Sequence, residues 1–397
     1  MRALIYEPEH GGHRLDYVRH VALALRDLVP VEIVLGSDAP ASTEFAVSLA
    51  GVAGELRIHA EVPAVRTSAL GRAADKWRAF VAALRRHRPD HVFVPYGDGL
   101  AQLHGALPLV PRGVEIEGLL MRAAFAYPQP GTRARLTARL SRALAARAPW
   151  TTVHHLDPLA WEATRGTWPG LQLMPDPVDA PRIDRHEARR TLGLPPDARI
   201  AGCAGAIDER KGMDLLLRAF ARVAGPDDRL LLAGKLSPRV RAALQQLPAD
   251  VRARVHAPDR FLDAAAFDAS IAAMDLVCTP YPDHVGSASI VLRAAAAGRP
   301  VLGADTGWMQ AMIPRFGLGA TVTVRDADAL AGALASGLEG ARSHVAGPAA
   351  EALVRYHSHE NFAARWTARI RARLGLPQAS GSVAWEDVLE VAAGGRS

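Results

Sequence analysis

The chain reads as an α/β protein built from two Rossmann-like, doubly wound domains in tandem, and three observations predict this. Strand-like apolar runs alternate with helical periods along most of the sequence, the pattern of parallel βαβ sheets. At 397 residues the chain is too long for one core of ordinary size. A stretch rich in Pro and Asp, residues 171 to 200, has no long apolar period and divides the alternation into two series.

The first series comprises "RALIYEP" (2–8), "VEIVLG" (31–36), "ELRIHA" (55–60), "HVFVPYG" (91–97), "GVEIEGLLM" (113–121) and "WTTVHHL" (150–156). The divider is expected to be an interdomain linker followed by a short helix. The second series runs "RIAGCAGA" (199–206), "RLLLAGK" (229–235), "RVHAP" (254–258), "LVCTPY" (276–281), "PVLGAD" (300–305) and "TVTV" (321–324). The expected domains are 1–172, 173–365 and a C-terminal helix and tail at 366–397, with the segment after 376 peripheral or frayed. Ligands of such sheets bind at the carboxyl ends of the strands, which places two sheet edges on either side of a cleft.

Composition excludes several classes. Apolar residues make up 49% and charged residues 22%, a globular balance. The start, "MRALIYEPEHGG", enters an apolar strand without a basic leader, and no run of about 18 apolar residues occurs, so a cytoplasmic protein is expected. Cys203 and Cys278 have no partners at metal spacing and read as buried thiols. The net charge of +6 is carried almost entirely by Arg, with Lys only at 76, 211 and 235. A GC-rich codon bias accounts for that preference, and it makes a lysine inside a glycine loop informative. The basic runs 76–91 and 136–150 read as solvated helix faces. The alternative is a weak membrane-surface contact, with the protein peripheral to the inner face. Nucleic acid is disfavoured because no recognition motif or stacking platform accompanies the arginines.

Four segments could carry chemistry. After the first strand, Gly11 and Gly12 let backbone amides approach a phosphate or sugar, with His13 following. After the first strand of the second series, Gly205 leads to Arg210, Lys211 and Gly212 at a helix start, where an Arg fork and a Lys point charge suit a diphosphate. The spacing excludes a P-loop. In "DHVGSASIVLRAAAAGRPV", Asp283, His284, Gly286, Ser287, Ala288 and Ser289 precede a helix whose free N–H groups suit an anion, and Arg293 lies one turn on. Asp98, between glycines after the fourth strand, is a candidate base or acceptor-hydroxyl partner. Simple capping, turn formation or solvation is the alternative at each.

Taken in order, "MPDPVD", "GAIDERKGMDLLLRAFA", "IAAMDLVCTPY", "LRAAAAGRPVLGADTGW" and "RYHSHENFAARWTARI" resemble the C-terminal domain of GT-B glycosyltransferases of the large retaining group called family 4. The likeness covers about residues 172–370. It implies a GT-B fold with the C-terminal helix packing back toward the N-terminal domain, and a nucleoside diphosphate sugar as co-substrate with no tightly bound cofactor. It further implies metal-independent transfer with retention to a small-molecule, lipid or glycan acceptor. It makes Lys211 and Arg210 diphosphate ligands and Lys211 catalytic. The amides of Gly11 and Gly12 would approach the donor, and the loop holding Pro258, Arg260 and Phe261 would hold the nucleobase. Many members present a histidine after the fifth strand, where this sequence has Glu117 and Arg122 instead; the acceptor-side candidates are then His13, Asp98 and Arg122, with Asp98 and Glu117 as catalytic carboxylates. Family members usually carry two glutamates eight positions apart. Here those places are Val285 and Arg293, so the motif is degenerate, and Asp283 or His284 is the candidate substitute. Loss of that pair leaves open a non-catalytic sugar-nucleotide-binding protein, an epimerase-type reaction, or transfer to a non-carbohydrate nucleophile.

Overall fold

The computed structural model describes residues 1–63, 69–107, 111, 113–121, 124–129, 131–168 and 170–394. The chain forms two compact units. One comprises Met1–Pro175 with His359–Ser382, the other Asp176–Ser358 with Val383–Ser397.

The first unit is built on seven parallel strands, β1 (Ala3–Glu7), β2 (Val31–Gly36), β3 (Arg57–Val62), β4 (His91–Val94), β5 (Glu115–Leu120), β6 (Thr152–His155) and β7 (Leu171–Leu173), in the order β3-β2-β1-β4-β5-β6-β7. β1 and β4 are buried throughout, which is why they read as continuous apolar runs rather than alternating ones. On one face of this sheet Ile5, Ile33 and Phe93 pack against Leu15, Val18 and Val21 of the helix Arg14–Leu25. Phe362, Trp366 and Ile370 of the helix His359–Arg373 join the same cluster. On the other face Leu4, Tyr6, Val34 and Val92 pack with Phe80 and Leu84 of the helix Ala69–His87.

The second unit has six parallel strands, β8 (Arg199–Ala204), β9 (Asp228–Ala233), β10 (Val255–His256), β11 (Leu276–Thr279), β12 (Val301–Ala304) and β13 (Gly319–Val322), in the order β10-β9-β8-β11-β12-β13. The helix Met213–Val223 buries Met213, Leu216, Leu217 and Phe220, the apolar period visible in the sequence. In both sheets the order reverses at one place, between β1 and β4 and between β8 and β11. The carboxyl ends of those four strands are therefore the topological switch points where open α/β sheets take ligands.

Two expectations need correction. Residues 171–173 are not linker but β7, an edge strand paired with β6, too short to show a period. Among the described residues the tail beyond 376 carries an anchored helix and is not frayed. The helix Trp385–Ala392 anchors to the second unit through Trp385, 2% exposed, whose ring meets Tyr356 at 5.0 Å and Phe316 at 5.9 Å. Large aromatic area on one helix face outweighs the polar, glycine-containing stretch before it. Among the described residues no helix is long and apolar enough to cross a membrane.

Candidate donor site and the carboxyl edge of the first unit

The loop after β8 is shaped by two glycines in the left-handed region, Gly205 (φ +102°) and Gly212 (φ +67°). Asp208 caps the turn Glu209–Lys211, accepting from the Lys211 N–H at 3.2 Å. Gly212 seats that turn against the loop after β11, where a Cβ would come within 2.0 Å of the Pro280 carbonyl oxygen. Two loops on neighbouring strands are thereby locked at the switch point. Lys211, half-buried, is held between them. Its Nζ donates to the Ala204 carbonyl at 3.3 Å and lies 5.5 Å from the Tyr281 ring centroid. The other cations nearby are already neutralised. Arg210 gives Nε and Nη2 to Asp208 Oδ2 at 3.0 and 2.6 Å, and Lys235 pairs with Asp259 at 3.4 Å. Among the described residues, no carboxylate sits at ion-pairing distance from Lys211.

The helix Ser289–Ala296 follows the loop after β11 that carries Tyr281. Its N-cap is Ala288, which has no side-chain acceptor, so the first amides are not capped internally. Gly286 (φ +93°) turns the chain into this helix, and His284 Nε2 donates to the Ser287 carbonyl at 3.1 Å, fixing the loop. The His284 ring also meets Tyr281, at 5.4 Å. Gly205, Lys211, Tyr281, His284 and the amides following Ala288 are thus one constellation. Tyr281 was not among the sequence candidates. Its signal was an aromatic between two prolines directly after a strand.

Several expected ligands are otherwise engaged. Asp283 is exposed and ion-paired with Arg325 at 2.7 Å. Ser287 Oγ donates to Asp176 Oδ2 at 3.2 Å, and Ser289 is exposed as the first helical residue. Arg293 turns toward the helix Ala264–Ala273, 3.3 Å from Asp268 and 5.1 Å over the Phe267 ring. Phe267 reaches the space in front of Gly205, so Arg293 borders the site through it. In the loop after β10, Asp259 (φ +43°) accepts from the Leu236 N–H at 3.0 Å. This presents Pro258, exposed Arg260 and Phe261 (50% exposed) beyond it.

In the first unit, Gly11 and Gly12 (φ +75°) are exposed, with nothing within 4 Å of an added Cβ, and His13 is the N-cap of the following helix. Below them sits a charge array that the sequence reading missed. Glu7, fully buried at the end of β1, meets Arg14 at 2.9 Å. Arg14 also reaches Glu9 at 2.8 Å and covers the Tyr96 ring at 3.6 Å, and Glu9 pairs with Lys76 at 2.5 Å. Burial pushes the Glu7 carboxyl up to about 8 against the opposing pull of Arg14. Glu9, His10, Asp38 and Lys76 line a pocket of about 300 Å³ at this edge. The rarity of lysine was the available signal for Lys76. Asp98, half-buried, accepts from the Met121 N–H at 2.8 Å at the carboxyl edge beyond β4. A hollow of about 650 Å³ in the second unit, lined by Pro195, Pro196 and Arg199, lies at the opposite, amino edge of its sheet and brings no candidate residue together.

A catalytic Glu117 is overturned. It is 1% exposed, in the middle of β5, 2.9 Å from His91 Nε2 and 3.1 Å from His154 Nε2, with Arg369 Nε at 3.6 Å. Burial alone would raise its carboxyl, but the hydrogen bond with His154 and the close approach of His91 hold it at about 2. It is a buried structural anion that ties the C-terminal helix to the sheet. Arg122 lies outside the described residues.

Residues 198–339 match the family described as Glycosyl transferases group 1. A GDP-mannose-dependent monoacylated alpha-(1-6)-phosphatidylinositol monomannoside mannosyltransferase of Corynebacterium glutamicum is 30% identical over 168 residues, 38% of this chain and 43% of that protein. A D-inositol 3-phosphate glycosyltransferase of Mycobacterium avium is 31% identical over 201 residues, 46% of this chain and 42% of that protein. The chain therefore spans less than half the length of the curated relatives it matches. Sucrose-phosphate synthase from Thermosynechococcus elongatus superimposes with a TM-score of 0.73 at 18% identity, over 94% of this chain and 100% of that one. The fold is that of two-domain, Rossmann-like GT-B glycosyltransferases.

Proposed function

We propose that this chain, whose residues 198–339 match the group 1 glycosyl transferases, is a glycosyltransferase that moves a sugar from a nucleoside diphosphate sugar to a polyhydroxylated acceptor. One observation carries the reading. Lys211 is a half-buried ammonium with no carboxylate partner among the described residues, held at a switch point against Tyr281, whose loop leads into uncapped helix amides. An unpaired charge in such a place costs stability unless an anion completes it. A diphosphate, with one oxygen on Lys211 Nζ and others on the amides after Ala288, fits that demand. Phe261, with Pro258 and Arg260 of the same loop, borders the nucleobase. The relative named for GDP-mannose supports a nucleotide sugar as donor.

The chemistry then needs charge stabilisation more than a nucleophile. The bond from the anomeric carbon to the diphosphate oxygen breaks while the acceptor hydroxyl attacks the same face, which retains configuration. The acceptor proton passes to the departing diphosphate, and Lys211 and the amides hold the negative charge that develops there. The acceptor is assigned to the first unit, with Asp98 as the group that orients its hydroxyl. The alternation of Glu9, Asp38, His10 and Lys76 around one pocket offers both donors and acceptors to a polyol. The relatives named for inositol 3-phosphate and a phosphatidylinositol mannoside support an inositol-type acceptor.

The replaced glutamate pair favours a second reading, in which the chain binds a sugar nucleotide but carries out an epimerase-type reaction, transfers to another nucleophile, or does not turn over. Incubation with GDP- and UDP-sugars, with and without inositol phosphates and phosphatidylinositol mannosides, separates these by nucleoside diphosphate release. Acceptor-dependent release supports transfer. Binding without release under every acceptor supports the second reading, and no binding of any nucleotide sinks both.

A further inference from the structure

We propose that Glu32, His59 and His87 form a structural divalent-metal site of the class that takes Zn²⁺, with Glu61 orienting His87 from behind. The site lies in the first unit near the amino end of its sheet, away from the carboxyl edge that carries Glu7 and the glycine pair. Three segments supply it. Glu32 is the second residue of β2, His59 lies in the edge strand β3, and His87 ends the helix Ala69–His87. Parallel register pairs Glu32 with Arg57 and Val34 with His59, so Glu32, His59 and Glu61 share one sheet face, the face that this helix covers.

One ligand atom from each of Glu32, His59 and His87 falls within 4.8 Å of the others. Glu32 Oε2 is 2.6 Å from His87 Nδ1 and 3.5 Å from His59 Nε2. Ligand atoms around tetrahedral zinc, at bonds of about 2.0–2.1 Å, stand about 3.3 Å apart, so small side-chain rotations suffice. His59 Nε2 is buried and makes no hydrogen bond among the described residues, although the ring itself is part-exposed and lies tilted against His87, with centroids 4.7 Å apart.

The outer contacts are those of a metal site. His87 Nε2 faces Glu61 Oε1 at 2.9 Å, and Arg86 holds Glu61 Oε2 at 2.5 Å. A histidine that gives one ring N–H to a carboxylate turns the other nitrogen's lone pair toward a cation. With the proton on Nε2, His87 Nδ1 and Glu32 Oε2 oppose each other as two acceptors, a contact that a metal ion between them resolves. Two imidazoles and a carboxylate with one open position select Zn²⁺ or a neighbouring transition ion over Mg²⁺ or Ca²⁺. Bound there, the ion would pin edge strand β3 to β2 and to the helix end. The competing arrangement is a protonated His87 bridging the two glutamates with no metal.

The test uses the full chain, stripped with chelator and titrated with Zn²⁺ and Co²⁺. Expected are one tight equivalent per chain, a rise in melting temperature with Zn²⁺, and the visible d–d bands of four-coordinate Co²⁺. His59→Ala, at a part-exposed residue, and Glu32→Gln should abolish all three, with circular dichroism confirming that each variant folds. Glu61→Gln should keep the Co²⁺ bands but weaken metal binding by about 10- to 100-fold. Absence of a tight equivalent in the wild type overturns the proposal. So does binding of unchanged strength in both His59→Ala and Glu32→Gln, which would assign it to other histidines. Neither result bears on nucleotide binding.

Discussion

Replacing Lys211 by alanine is the sharpest probe of the donor site. Its ammonium donates one hydrogen bond, to the Ala204 carbonyl, and has no acidic partner at ion-pairing distance among the described residues, so the deletion breaks no salt bridge. Folding stability should fall by about 1 kcal/mol at most. Ligand binding should suffer more. Two unit charges at about 4 Å interact by about 4 kcal/mol at an effective dielectric of 20. Partial exposure of Lys211 cuts that to about 2 kcal/mol, roughly thirtyfold in Kd. Calorimetry should therefore show nucleoside diphosphate affinity falling about thirtyfold in Lys211→Ala, nucleoside affinity nearly unchanged, and a shallower salt dependence. Equal losses for nucleoside and nucleoside diphosphate would refute the argument, because the lysine would then be shaping the loop and not contacting phosphate. An unchanged diphosphate affinity would remove Lys211 from the site.

Three further outcomes are expected. Gly212→Ala places a Cβ 2.0 Å from the Pro280 carbonyl in a left-handed conformation that alone costs about 1–2 kcal/mol. Denaturant melts should show the second unit destabilised by more than that, with nucleotide binding lost; a variant of wild-type stability contradicts the loop locking. Trp366→Ala empties a fully buried site in the first unit and should cost about 3–5 kcal/mol in the same measurement. Glu7 has a folded pKa raised to about 8 from 4.5, so the folded state holds its proton more tightly. The stability this provides is complete below pH 4.5 and is lost as pH rises to about 8, by up to about 1.4 kcal/mol per unit. Glu7→Gln should flatten that slope, and parallel pH profiles for the two proteins would contradict it.

The strands, the helices between them and the glycine loop carrying Lys211 were legible because each rests on local pattern, an apolar run or a glycine before a cation. β7 and the helix Trp385–Ala392 were not. One is three residues long, and the other depends on Tyr356 and Phe316, which are distant in sequence. Candidate side chains fared worse than candidate loops. Asp283 and Arg293 looked available for a ligand, yet Arg325 and Asp268 claim them across separations of 42 and 25 residues. Glu117 followed the same logic, since nothing local reveals that His91 and His154 lie on the strands to either side. The array of Glu7, Arg14, Glu9 and Lys76 was hidden for the converse reason, because Lys76 meets Glu9 only once β1 and the helix Ala69–His87 have packed.

The return of the helix His359–Arg373 to the first sheet sets an order of events during synthesis. Strands β1 to β7 leave the ribosome first, and domains ordinarily fold as they emerge. Here the apolar face formed by Phe93 and the helix Arg14–Leu25 stays uncovered until Phe362, Trp366 and Ile370 have been made. The N-terminal sheet, though translated before β8 to β13, is sealed only after all of them have been made. Loss of the final forty residues would leave its core open to water and the second unit without Trp385.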